Sequence, residues 1–345
     1  MGSQFVDFNQ DGHLDYLTAT FDGSPHIAYG STAGFGEPAR LKDANGKRIL
    51  ITSFWNYEDK AHQTTGRALG TTKPPKERCI SALAFDWDGD GDHDLLLGSY
   101  ENGHLYRQMN EGTNKAPKFT GKNIPVMAGA KPFALSAKMT APRLVDWDAD
   151  GDLDLIAGSF GGSYGPKGTG GGIYLSLNTG QKGHPAFGEL DLLIAPSRKG
   201  GSAPTRPDAG LYVDAVDYDG DGDLDLVVGG YSMWTPKARQ LSAEEETEVT
   251  RLRDVQKEIR TRQSKMNSKY RADVAKATEG LDRASPEARA KSKEVFAKYR
   301  AEFTAFGKEN QAVTKKLDAL VPRPQRQAFV WLYERLPAGT TRTSL

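Results

Sequence analysis

An all-β chain of repeated four-stranded antiparallel units, broken late by a long α-helical hairpin, is the fold class the sequence predicts. Three observations predict it. One acidic segment recurs four times, alternating apolar strands follow each copy, and residues 242–320 abandon that alternation for Ala, Glu, Lys and Arg. The 38 glycines among 345 residues favour a turn-rich β protein over a helical bundle. That length leaves room for two or three domains. A balance of 45 basic against 45 acidic residues gives no support for a nucleic-acid or membrane-surface partner, and none is expected. No apolar run approaches the roughly 18 residues that would span a bilayer.

The repeats read FVDFNQDGHLDYLTAT from Phe5, AFDWDGDGDHDLLLGS from Ala84, LVDWDADGDLDLIAGS from Leu144 and AVDYDGDGDLDLVVGG from Ala215. Their first aspartates stand at 7, 86, 146 and 217, and each is followed by an aromatic residue: Phe8, Trp87, Trp147 or Tyr218. Periods of this size suit one supersecondary unit per repeat, as in a propeller blade. Counting from that first aspartate, side-chain oxygens fall at positions 1, 3, 5 and 9. They belong to Asp7, Asn9, Asp11 and Asp15; Asp86, Asp88, Asp90 and Asp94; Asp146, Asp148, Asp150 and Asp154; and Asp217, Asp219, Asp221 and Asp225. Position 6 is always glycine (Gly12, Gly91, Gly151, Gly222), as a tight wrap with positive φ requires.

Carboxylates this close repel one another unless something positive sits among them. An all-oxygen set of this kind matches Ca²⁺, up to four ions with one per loop. Position 7 (His13, Asp92, Asp152, Asp223) would add a backbone carbonyl only. Asn9 in place of aspartate should make the first loop the weaker binder. An EF-hand is excluded, because position 12 is Thr18, Leu97, Ala157 or Val228 where a bidentate glutamate would be needed. The plainer reading, an Asp/Gly-rich turn without metal, sits poorly with four copies of one ligand spacing.

These four segments resemble FG-GAP repeats, also called VCBS repeats, the units of integrin α-subunit heads and of many secreted bacterial proteins. The resemblance implies a β-propeller with Ca²⁺ held in a hairpin loop of each blade. With its helical insertion, the arrangement is similar to secreted FG-GAP proteins of environmental bacteria, planctomycetes among them, and it implies no activity.

Laid side by side, the repeats show further strands. HIAYGS (26–31), HLYRQMN (104–110) and GIYLSLN (172–178) follow the first three, and GEPARL, TGKNIPV and GELDLLI come next, each just after a phenylalanine. Strand, loop, strand, turn, strand, turn, strand is the four-stranded antiparallel blade of a propeller. In the fourth repeat alternation resumes only at QAFVWLYERL, 327–336, so the helical segment reads as an insertion within a hairpin. The expected divisions are blades over 1–241, the inserted hairpin over 242–320, and a returning strand and tail over 321–345. Four loops require at least four blades. PAGTTRTSL does not look like an outer strand, so the ring is expected to be open or incomplete, with further blade sequence upstream.

Within the insertion, Ser242 and Glu245 form a capping box. Val249, Leu252, Ile259, Met266 and Tyr270 keep a 3-4 spacing with Gln256 and Gln263 between them. The helix ends near Gly280, and Ser285-Pro286-Glu287 starts a second that carries Tyr299, Phe303, Phe306, Val313, Leu317 and Leu320, with Asn310 between. The short connection makes the two antiparallel, seam against seam. The segment carries 18 basic and 14 acidic residues. Of the 31 acids elsewhere, 18 lie in the four loops, where calcium would neutralise them and its loss would leave self-repulsion.

No zincin, nucleophile-elbow or phosphate-loop motif is present. The six histidines are scattered; His13 and His93 read as solvent-facing turn residues. Cys79 reads as a small buried hydrophobe. The run GGSYGPKGTGGG, 161–172, reads as a hairpin turn rather than an anion site. Trp55, Tyr57, Tyr164 and Trp234 would pack between blades or stack on sugar rings, with Trp55-Asn56-Tyr57 and Tyr164 expected in loops. MGSQFVDFNQDG carries no signal-peptide pattern and enters a loop by residue 7, as a trimmed chain would.

The functional expectation is a non-enzymatic calcium-binding adhesion module, secreted or periplasmic because such loops need a calcium-rich compartment, with a protein or glycan ligand. One alternative is the scaffold of a secreted polysaccharide- or phosphoester-cleaving enzyme. Another is an assembly protein that self-associates through the helical hairpin.

Overall fold

A computed structural model of the chain describes residues 2–57, 60–64, 76–135, 138–161, 170–196, 201–204, 206–281 and 285–336. The protein is mostly β, built from small antiparallel sheets and two long helices. It divides into two compact units, one of Met1–Trp234 with Arg326–Leu345 and one of Thr235–Gln325.

The first sheet takes β1 (Ser3–Val6), β2 (Asp15–Ala19), β3 (Pro25–Ala28) and β4 (Ala39–Arg40) in chain order. A two-stranded hairpin of β5 (Ser53–Asn56) and β6 (Ala61–Thr64) follows. The second sheet is β7 (Cys79–Phe85), β8 (Asp94–Ser99), β9 (Leu105–Gln108) and β10 (Ile124–Pro125), with a small hairpin of β11 (Met127–Ala128) and β12 (Lys131–Pro132) after it. The third is β13 (Met139–Val145), β14 (Asp154–Ser159), β15 (Ile173–Ser176) and β16 (Asp191–Ile194). In the fourth, β17 (Ala209–Val216) pairs with β18 (Asp225–Trp234), and β18 pairs with β19 (Gln325–Tyr333) across the whole helical segment.

In every sheet the acidic repeat loop joins the first strand to the second, so the same register recurs. Val6 faces Asp15, Phe85 faces Asp94, Val145 faces Asp154 and Val216 faces Asp225. Side chains alternate between the two faces of each strand, and that alternation sorts the apolar residues into three cores. Phe8, Leu17 and Ile27 of the first sheet meet Ala82, Ala84, Leu95, Leu97 and Tyr106 of the second. From the second sheet's other face, Leu83, Trp87, Leu96 and Leu105 meet Leu155, Ala157 and Phe187. Ile156, Ile173 and Leu175 then meet Leu211, Val213, Leu226 and Val228. Burying one leucine such as Leu96 contributes about 1.5–3 kcal/mol, so these junctions, more than any hydrogen-bond ladder, hold the sheets together.

The second unit contains α1 (Ala243–Ala277) and α2 (Pro286–Leu320). Ser242 and Glu245 close a reciprocal capping box, and Ser285 caps α2 ahead of Pro286. Val249, Leu252 and Ile259 pack with Val313 and Leu317, while Met266 packs with Val295 and Tyr299, so the helices run antiparallel with their stripes facing each other. Gln256 donates to Asn310 Oδ1 (3.5 Å) and Thr314 Oγ1 (3.4 Å) at a polar break in this seam. At 1.5 Å per residue each helix is about 50 Å long.

Trp55 and Asn56 are not in a loop: both belong to β5, and only Tyr57 lies beyond it. The partner strand, AHQT, has no apolar alternation, which is why the pairing escaped a pattern-based reading. Phe54 lies under the Arg48 guanidinium (4.5 Å), and Trp55 meets His62 edge-on (4.9 Å). Trp234 is the half-buried last residue of β18. Tyr164, most of the 161–172 run and PAGTTRTSL lie outside the described residues.

Candidate metal centres

The four repeat loops fold alike because their own side chains hold the backbone. The position-1 aspartate accepts the N–H of the position-6 glycine in each: Gly12 to Asp7 (2.9 Å), Gly91 to Asp86 (3.2 Å), Gly151 to Asp146 (3.1 Å) and Gly222 to Asp217 (3.2 Å). Position 5 accepts from position 7: His13 to Asp11 and Asp92 to Asp90 (both 2.9 Å), Asp152 to Asp150 (2.9 Å) and Asp223 to Asp221 (3.0 Å). The position-6 glycines sit at φ of 90°, 92°, 94° and 94° with nothing within 4 Å of a would-be Cβ. Backbone conformation alone therefore demands glycine there.

Position 9 does more than line the loop. Asp15, Asp94, Asp154 and Asp225 are fully buried, and each spends both carboxylate oxygens on backbone N–H groups. One oxygen accepts from the aromatic at position 2: Phe8 (3.0 Å), Trp87 (3.0 Å), Trp147 (2.8 Å) and Tyr218 (3.2 Å). The other accepts from the residue that leaves the third strand: Gly30 (2.7 Å), Asn110 (2.6 Å), Asn178 (2.7 Å) and, in the fourth sheet, Arg335 (2.8 Å). Arg335 thus stands in the fourth sheet where Gly30, Asn110 and Asn178 stand in the others, although 110 residues separate it from Asp225. Asp15 Oδ2 also accepts from the Asn9 N–H (3.4 Å), whereas each oxygen of Asp94, Asp154 and Asp225 keeps a second lone pair that leaves room for a metal.

Three loops gather carboxylates as a cation would need. In Asp86–Asp88–Asp90, Asp146–Asp148–Asp154 and Asp217–Asp219–Asp221, one oxygen of each residue lies within 4.8 Å of the others. Among the described residues the first loop forms no such group; there Asn9 donates to Asp11 (2.9 Å) and, with the His13 N–H, holds the Asp11 carboxyl below its ordinary range. The second loop behaves in the opposite way. Burial, then the charges of Asp90, Asp88 and Asp86, pushes Asp92 up to about 6. Burial likewise lifts Asp94 to about 6 against the N–H bonds from Asn110 and Trp87, and burial raises Asp154 and Asp223. Asp92 Oδ1 and Asp223 Oδ1 are buried without a hydrogen-bond partner. Crowded oxygens and raised carboxyls fit a bound hard cation.

His93 is not a solvent-facing turn residue. Its ring stacks on Phe8 at 5.4 Å, Nδ1 lies 3.1 Å from Phe8 O, and its N–H donates to Asn114 Oδ1 (2.7 Å). It ties the second loop to the first, as does Gln10, whose amide donates to Gly91 O (3.2 Å). His13 is half-buried. Cys79 is buried in the first core, where burial pushes its thiol well above the usual range.

Sequence reasoning missed two supports. Position 4 is also left-handed, at Gln10 (φ 54°), Gly89 (75°), Ala149 (60°) and Gly220 (80°), and only two of the four are glycine. Asn110 and Asn178 fold the segment after the third strand: Asn110 Oδ1 accepts from Gly112 (3.0 Å) and Lys118 (2.7 Å), and Asn178 Oδ1 from Gly180 (3.1 Å) and Ala186 (2.9 Å). The shared pattern, asparagine two residues before glycine and nine before phenylalanine, was there to be read in NEGTNKAPKF and NTGQKGHPAF.

The geometry defines a class: a β-rich protein made of sheet repeats, each organised around an acidic loop. Residues 86–157 match the FG-GAP-like repeat family, from the second loop to within the strand after the third. The chain therefore carries an FG-GAP-like repeat, and its four loops share that repeat's local architecture. No curated protein matches the chain. Among the described residues no helix is long and apolar enough to cross a membrane.

Proposed function

We propose that this protein is a non-enzymatic calcium-binding β-propeller module that works outside the cytoplasm and presents its loops to a protein or glycan ligand. The observation that carries the reading is the carboxylate triad repeated in three loops on one hydrogen-bond scaffold. Positions 1, 3, 5 and 9 would hold each ion, with the carbonyl at position 7. Calcium supplies countercharge where folding has gathered aspartates, so its role is structural. In extracellular modules such loops bind at ~10⁻⁴–10⁻³ M, which suits a calcium-rich compartment.

Support for a propeller comes from the order of the sheets. Each leads with its loop-bearing hairpin, and each presents one face to the sheet before and one to the sheet after. The leading strands converge as well. A Cβ on Gly2 would overlap Ser81 Cβ and lie 3.1 Å from Ala141 Cβ, and Arg143 reaches both Ser3 O (2.8 Å) and Asp214 (3.4 Å).

The test is thermal unfolding of the full chain in chelator and in a calcium series. Occupancy at ten times Kd should stabilise by about 1.4 kcal/mol per site, read as a rising Tm, with Asp88→Asn and Asp219→Asn each removing part of the rise. A Tm indifferent to calcium and chelator would refute the reading.

A further inference from the structure

Each internal junction joins the same two faces. The face that carries a sheet's loop aromatic meets the opposite face of the next sheet. At the first junction Phe8, 0% exposed, lies 6.4 Å from Phe119; at the second Trp87, 9% exposed, lies 6.0 Å from Phe187. Phe119 and Phe187 hold one place in their sheets. Each precedes a residue whose N–H donates to a carbonyl at the end of the third strand, Thr120 to Met109 (2.9 Å) and Gly188 to Leu177 (2.7 Å).

By that criterion the first sheet's equivalent is Phe35, because Gly36 donates to Tyr29 O (2.8 Å). The fourth sheet's equivalent of Phe8 and Trp87 is Tyr218, bonded like them to its position-9 aspartate. These two rings are the ones left over: Tyr218 is 68% exposed and Phe35 is 56% exposed. Their surroundings follow suit. Val330 stands where Leu105 and Ile173 are buried, yet it is 74% exposed, and Val216 beside the loop is exposed too. On the first sheet the exposed Phe5 lies 5.2 Å from Tyr16 and 6.0 Å from Phe35, forming an aromatic strip. Asp214, on the same face of β17 as Val216, is paired with Arg143.

We propose that these two faces are the halves of one further junction, completed head to tail by a second copy of this chain, with Tyr218 of one copy against Phe35 of the next. The chain carries both halves, and the new contact would continue the three junctions already built within it. Apolar sheet faces of this kind mark association sites. The junction is heterologous, so copies add head to tail until the ring they build closes, or run on as a filament if it does not. Nothing in this depends on metal in the loops.

Sedimentation of the full chain over a concentration series tests it. Mass should rise above one copy with concentration, while Tyr218→Asp and Phe35→Asp should each remain single. Mixed in equal amounts, these variants retain one intact half apiece and should form a two-copy species that grows no further. A second variant on the same face, Val330→Lys, should lose association with its far-UV spectrum intact. Wild-type protein that stays at one copy overturns the proposal. So does association undiminished in the variants, or a mixture that never pairs.

Discussion

Asp154 shows what one side chain contributes at the scale of the residue. Its two oxygens take the N–H groups of Trp147 and Asn178 and so join the loop, the second strand and the exit of the third. Replacing it by alanine strands two buried donors, each costing about 1–3 kcal/mol. Asp154→Ala should therefore lose about 2–4 kcal/mol in urea unfolding even in chelator, where no metal contributes. Ala149 offers the reverse test. It holds φ 60° at a position where the second and fourth loops have glycine, and Ala149→Gly should stabilise by up to about 1 kcal/mol, read as a higher urea midpoint.

Asp22 carries a pH dependence. Burial by itself would raise it, but hydrogen bonds from His26, Thr20, the Ser24 N–H and Arg40 prevail and hold the carboxyl well below its ordinary 3.8. A depressed folded pKa contributes stability that is complete above the unfolded value and disappears as pH falls through the folded one. The Tm gap between wild type and Asp22→Asn should thus be constant near neutrality, begin to narrow as pH falls toward the unfolded value of 3.8, and keep narrowing below it. A gap that closed between pH 8 and 5 would overturn this assignment.

At the scale of the element, some parts were legible in the sequence and others were not. Both helices were, because Ser242 with Glu245 and Ser285 with Pro286 mark their starts and the 3-4 apolar spacing marks their seam. The strand after each loop was legible from its apolar run, and the next from its alternation. β5 and β6 were not, since AHQT offers no periodicity, and His93 was misplaced because its partner Phe8 lies 85 residues away. Ligand spacing announced positions 1, 3, 5 and 9, but not that position 9 is stapled to the third strand. That contact exists only once the strands have paired. For the helices the expectation is plain: Ile259, buried between Leu252 and Val313 in one core, should cost about 2–5 kcal/mol as Ile259→Ala, seen as earlier loss of helical ellipticity.

Across the whole molecule, β19 completes a sheet left off some ninety residues earlier at Trp234, with the Arg335 N–H closing on Asp225. Joining strand ends through a floppy segment of that length, rather than a five-residue turn, would add about 2–3 kcal/mol of closure entropy. A pair of helices that folds locally removes most of that cost, since an antiparallel hairpin returns its C-terminal end to where it began. The ribosome also delivers β19 after the two strands it joins. Until it emerges, Asp225 lacks its second donor and one edge of β18 is bare, which is the kind of edge that invites mispairing. A nascent chain stalled before Gln325 should accordingly be more sensitive to protease in its fourth repeat than in the three already complete.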